Sequence, residues 1–237
     1  MARVINGNIQ GALGDIIFYV MDGKQYARLK PQQKSRSKQT KKPAVVLFSL
    51  AGKYGTAIVK QLKAHLLITT NLTVYNHFRS WCIRLLKHQL MQDGEHLSKQ
   101  PVYHSFNASA DLRDQMQLDY QWRIDDTGVV IEIPSFQPNI YFQSPKKASA
   151  CIVSFAVINA SFQENFTPVS CSSSSVTIPI NTMVTVPQSI YLPISNRQKG
   201  WLFLAISLRY VVKDKQADIL ETDVAYLPAA IVDGIFV

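Results

Sequence analysis

This sequence predicts an α+β chain in three parts. Residues 1–42 form an N-terminal β-hairpin and basic arm, residues 43–116 an antiparallel helical pair with its connection, and residues 117–237 an antiparallel β-sandwich. Three observations carry that expectation. Apolar residues recur at helical spacing between residues 43 and 91 and at strand spacing after Leu118. Residues 23–92 hold fourteen Lys and Arg and no acid. Prolines and turn residues then break the second half into short runs, the pattern of strands joined by turns.

The first element is a hairpin. Residues 15–20, DIIFYV, favour a strand, Asp22-Gly23 supplies turn chemistry, and Gln25 to Leu29 alternates. Tyr26 and Arg28 fall on one face, with Gln25, Ala27 and Leu29 on the other. Gly7, Gly11 and Gly14 make the preceding residues read as a flexible lead. An isolated two-stranded hairpin is barely stable in water, so this one must lean on something else. Residues 30–42, KPQQKSRSKQTKK, have no hydrophobic face and read as a solvated cationic arm.

Pro43 suits the first position of a helix. Leu47, Ala51, Tyr54, Ile58, Leu62 and Leu66 then form one stripe, with Lys53, Lys60 and Lys63 off it. Gly52 and Gly55 within it point to a kink or a close contact. A second helix over about 72–91 turns Val74, Phe78, Trp81, Cys82, Leu85 and Leu86 inward. A helical turn is expected near residues 111–116. Strands are expected around 118–124, 129–133, 149–163, 174–180, 183–193, 200–212 and 224–236. The serine run at 170–175 reads as a polar loop.

The pattern Gly11-x-x-Gly14-Asp15-x-x-Phe18-Tyr19, followed by Gly23-Lys24-x-Tyr26-x-Arg28, resembles the start of a family of uncharacterised proteins from Bacteroidota-type bacteria. Phe48-x-x-Ala51-x-x-x-Gly55 and the β-rich second half are similar in style. Ahead of the Phe, where that family often carries Gln and Arg, this chain has Lys41, Lys42 and Pro43. The family has no assigned activity, so the resemblance implies a domain plan and nothing chemical.

Composition bounds the function. At 237 residues the chain can bury a real core, and 47% apolar residues argue against wholesale disorder. Charged residues are 17%, below the roughly 25% usual for soluble domains, and so sparse a charged surface favours association. Residues 1–100 carry 16 basic and 4 acidic side chains, whereas residues 101–237 carry 9 and 12. Such asymmetry marks one end as a docking surface for a polyanion or for an acidic partner, a neighbouring subunit included. Cys82, Cys151 and Cys171 lack metal spacing and read as buried thiols, with a Cys151–Cys171 bridge as the alternative. With no signal-like apolar run and no span of about 20 apolar residues, a cytoplasmic protein without a membrane span is expected.

Motifs for nucleophilic or phosphate chemistry are absent from the sequence: it contains neither GxSxG, GxxxxGK[ST] nor GxGxxG. His65, His77, His88, His96 and His104 have no acid or thiol at ligand spacing and read as solvated side chains. Asp111, Asp114, Asp119, Asp125 and Asp126 could gather as a carboxylate cluster, but turn and surface roles account for them more simply. The expectation is therefore a non-enzymatic structural protein without cofactor or metal, assembling as a homo-oligomer or in a larger protein assembly. Lys24, Arg28, Lys30, Lys34, Arg36, Lys38, Lys41 and Lys42 would make the electrostatic contact, and Phe18, Tyr19 and Tyr26 the apolar anchoring. Alternatively, the basic block of residues 23–92 binds RNA or DNA. Phe18, Tyr54 and Phe78 also read as core residues.

Overall fold

The computed structural model describes residues 2–5, 7–31, 43–66, 68, 71–91, 102–161, 170–194, 197, 199–213 and 218–237. The chain divides into two compact units, Met1–Lys42 and Pro43–Val237. Residues 43–116 and 117–237 thus belong to one unit.

The first unit is a four-stranded antiparallel meander: β1 (Arg3–Ile5), β2 (Asn8–Leu13), β3 (Ile16–Met21) and β4 (Lys24–Leu29). The expected hairpin is its second half. The glycine-punctuated lead is not a loose approach to it but two further strands. Glycine obscured them in the sequence because it is a poor strand former, yet Gly7 and Gly14 sit in the turns and Gly11 within β2. Asp22 and Gly23 have φ of 51° and 75°, the left-handed pair that a tight two-residue hairpin requires. None of the described residues of this unit is buried.

The second unit opens with α1 (Pro43–Leu66) and α2 (Leu72–Met91). Ala51, Tyr54, Ile58, Leu62 and Leu66 of the expected α1 stripe are buried, and Leu47 packs against them. All six residues expected to face inward on α2 are buried. The Arg79 guanidinium donates to the Phe48 carbonyl and covers that ring at 3.6 Å. Thr56 Oγ1 meets Tyr75 Oη at 2.6 Å, so the helices run antiparallel. Both glycines lie within one continuous helix, Gly52 at a close contact and Gly55 at an ordinary one. A Cβ on Gly52 would lie 3.0 Å from Arg79 Nη2, and one on Gly55 3.8 Å from the Phe78 ring.

After β5 (His104–Ser105) comes the short α3 (Leu112–Gln115), whose N-terminus is capped by Asp111 accepting from the Arg113 amide. β6 (Gln121–Ile124) and β7 (Gly128–Ile133) form the expected hairpin, and α4 (Pro138–Tyr141) follows. The remaining strands are β8 (Ala148–Ala160), β9 (Ser170–Pro179), β10 (Gln188–Pro193), β11 (Trp201–Lys213), β12 (Asp218–Leu220) and β13 (Ala229–Phe236). Strands β10, β7 and β6 make a three-stranded sheet. Strands β5, β13, β11, β8 and β9 make the larger one, with β12 paired to β11. The serine run is a strand, not a loop, because Ser170 to Ser175 pair residue by residue with Asn159 to Ser154 of β8. Tertiary pairing overrides a weak local preference here.

Alternation along β8 and β11 serves two cores. Ile158, Trp201 and Phe203 face the helical pair, while Val153, Phe155, Leu204 and Leu208 share a cluster with Val129, Ile131 and Leu192 of the smaller sheet. The larger sheet is therefore covered on one face by helices and on the other by strands. Single polar ties reinforce this arrangement. Ser207 Oγ donates to the Leu66 carbonyl, His65 Nδ1 meets Ser173 Oγ at 2.8 Å, and Trp122 Nε1 donates to Asp233 Oδ2 at 2.8 Å.

Gly128 opens β7 where it pairs with Pro193, and a Cβ there would lie 2.4 Å from the Leu192 carbonyl oxygen. Gly128→Ala must push β10 away and is expected to destabilise this unit by about 1–3 kcal/mol. Urea unfolding read by tryptophan fluorescence checks it, and an unchanged midpoint would contradict the close approach.

Candidate interaction surface

Register in the first unit decides which side chains share a face. Gly11 pairs with Phe18 and Phe18 with Ala27, while Leu13 pairs with Ile16 and Ile16 with Leu29. With Val20 and its partner Gln25, these residues make one face without a charge. Leu13 is 65% exposed and Leu29 76%. Gln25 does local work, its Oε1 accepting from the Ile9 amide at 3.3 Å, beyond the stretch where β2 pairs with β3.

The other face carries Arg28 opposite Ile17, Tyr26 opposite Tyr19, and Lys24 opposite Met21. The two tyrosine rings stack with centroids 5.7 Å apart and planes 21° apart, and Arg28 Cζ lies 5.7 Å from the Tyr19 centroid. Of the three aromatics expected to act as anchors, Phe18 is therefore separated from Tyr19 and Tyr26 by the thickness of the sheet. Nor is Phe18 a core residue: it is only partly buried, because no second layer covers its face among the described residues of this unit. Tyr54 and Phe78 are core residues. Among the expected cationic contacts, Lys24, Arg28 and Lys30 are exposed. Lys34, Arg36, Lys38, Lys41 and Lys42 lie outside the described residues.

The remaining candidates are engaged elsewhere. Asp111 caps α3 and accepts from Tyr103 Oη. Asp125 accepts from the Thr127 and Gly128 amides, and the Thr127 contact foremost holds its carboxyl below the usual range. Asp119 lines an open groove of about 730 Å³ at one end of the smaller sheet, with Tyr120, Glu132 and Pro187. Glu132 pairs with Arg123 of the same hairpin at 3.6 Å, and both are well exposed. Among the described residues no group of three or more His, Cys, Asp or Glu could hold a metal ion.

Of the described histidines, His65 is half-buried against Ser173, and His104 departs furthest from the solvated reading. It is in a strand, and its ring packs against Phe78, Trp81 and Phe106 at 5.0–5.8 Å. Its Nε2 is buried and finds no hydrogen-bond partner among the described residues. Burial, then His77 and Arg84, hold its pKa down at about 4. Nothing in the local sequence marks this site, since two of its three rings come from α2 and only Phe106 is a near neighbour in the chain. The side chain of His88, and His96 as a whole, lie outside the described residues. All three cysteines are free, and burial pushes the Cys151 and Cys171 thiols up to about 12.

The geometry defines an α+β chain with a coreless sheet presenting one apolar and one cationic–aromatic face. No described helix is long and apolar enough to cross a membrane. No protein-family model, curated protein or solved structure matches the chain.

Proposed function

We propose that this protein is a non-enzymatic structural subunit that assembles with copies of itself through the apolar face of its N-terminal sheet. The larger unit is the body of that subunit, its two facing sheets read as a β-sandwich closed on one outer face by the helical pair. The observation that carries the proposal is the uncharged, exposed row Leu13, Ile16 and Leu29 beside Phe18, Val20 and Ala27. A sheet requires a second layer to bury such a face.

The occupant we assign is the same face of a second copy. Each chain carries a net charge of +9, so the contact between copies that repulsion opposes least is one through a face that carries none of that charge. Lys24 and Arg28 are on the opposite face, and Asp15 and Asp22 are in turns. Two sheets of identical twist also pack naturally in aligned fashion. Size limits the strength of the contact. Three strands of six residues project on the order of 250 Å², against the roughly 800 Å² per partner of a standard interface. One pair of faces therefore gives a weak, concentration-dependent dimer.

Sedimentation of nuclease-treated protein over a dilution series tests this. The full chain should move from larger species towards 26.7 kDa on dilution. Leu13→Lys with Leu29→Lys, and a chain shortened to residues 43–237, should stay monomeric and folded. Large particles that survive either change would show that the sheet has been misassigned. A full chain that is monomeric at every concentration would leave the face to a different protein.

A further inference from the structure

We propose that the opposite face of the N-terminal sheet binds single-stranded nucleic acid. This is independent of self-assembly, which uses the other side of the same strands. Along β3 and β4 the face presents three rows: Lys24 with Met21, Tyr26 with Tyr19, and Arg28 with Ile17. Lys24 and Arg28 are four residues apart on one strand, hence about 14 Å, with the stacked tyrosines between them. Tyr19 and Tyr26 remain 37% and 39% exposed despite their contact with each other. No acid shares these rows, and the acid-free stretch 23–92 supplies a long-range attraction for a polyanion.

The chemistry favours nucleic acid over an acidic protein because of the rings. Cations alone would hold either partner. Paired aromatics on a sheet add stacking, which every base can use and a carboxylate cannot. They also select single strands, whose base faces are open, over duplexes, whose faces are already stacked.

Fluorescence anisotropy of the full chain with a labelled oligothymidylate of about 20 nucleotides tests this, a length above the roughly 4–16 nucleotides that an OB-fold sheet holds. Binding at low salt is expected. The double variant Tyr19→Leu, Tyr26→Leu should lose about tenfold or more in affinity. Tyr19→Phe with Tyr26→Phe keeps the rings and should bind like the parent. Lys24→Gln with Arg28→Gln should lower the log–log salt slope by about 1.4. Absence of binding, full affinity in the leucine variant, or equal loss in the leucine and phenylalanine variants would overturn the proposal. Equal displacement by polyglutamate of matched charge would assign the face to an acidic protein instead.

Discussion

Phe78→Ala is expected to destabilise the larger unit by about 3–5 kcal/mol, the cost of deleting a fully buried aromatic ring. Phe78 is 0% exposed and lies where three elements converge. It stacks on Trp81 at 5.2 Å, tilts against Phe106 at 5.2 Å and meets His104 at 5.0 Å. Trp81 in turn contacts Phe203 of β11, so the cluster ties α2 to the larger sheet. The void should collapse little, because its walls are rigid rings and a sheet held on both faces. Trp81, Trp122 and Trp201, the chain's three tryptophans, all belong to this unit, so their fluorescence in urea reports on it alone. The midpoint should fall while the slope stays near the parent value. A loss below about 1 kcal/mol would mean that the ring cluster does not hold the helices to the sheet.

Acid should destabilise the same unit through His104. Its pKa is about 4 in the folded protein against 6.5 ordinarily, because burial among three rings disfavours the imidazolium and His77 and Arg84 add repulsion. Above pH 6.5 both states hold His104 neutral and it contributes no pH dependence. Between 6.5 and 4 the unfolded chain binds the proton and the folded one resists it, so stability falls as pH falls. Below 4 both are protonated and the loss is complete. The depressed value corresponds to a ceiling of about 3 kcal/mol, and residual solvent access lowers the expected loss to about 2 kcal/mol. Carboxylate protonation contributes to acid loss as well, so the decisive comparison is His104→Phe, which keeps a ring in the cluster. Its stability between pH 6.5 and 4 should fall by about 2 kcal/mol less than the parent's. Parallel curves would show that His104 is hydrated in the folded state.

These two sites differ in how far the sequence revealed them. Phe78 was legible, because helical periodicity puts Val74, Phe78, Trp81, Cys82 and Leu85 on one stripe. His104 was not: a lone histidine after a polar connection carries no periodic signal, and its rings arrive from α2 and from Phe106. The same contrast holds for strands. β8 and β11 stood out as apolar runs, but a run buried on both faces does not show which residues look at helices and which at strands. The first half of β9 was concealed by its serines, and β1 and β2 by glycines.

By itself the sequence determined the helical stripes, the Asp22-Gly23 turn, the absence of acids from residues 23–92 and the alternation of Tyr26 and Arg28 against Ala27 and Leu29. These are local properties, set by side-chain spacing and backbone preference. Only the tertiary structure decided that Tyr19 pairs with Tyr26 while Phe18 pairs with Ala27, and that Ser170 to Ser175 complete a sheet. It alone showed that none of the described residues of the N-terminal unit is buried. The reason is register: side chains alternate with a period of two, so which strand pairs with which, and at which residue, determines every face. Pairing is a contact between distant segments, and no single stretch of chain encodes it alone.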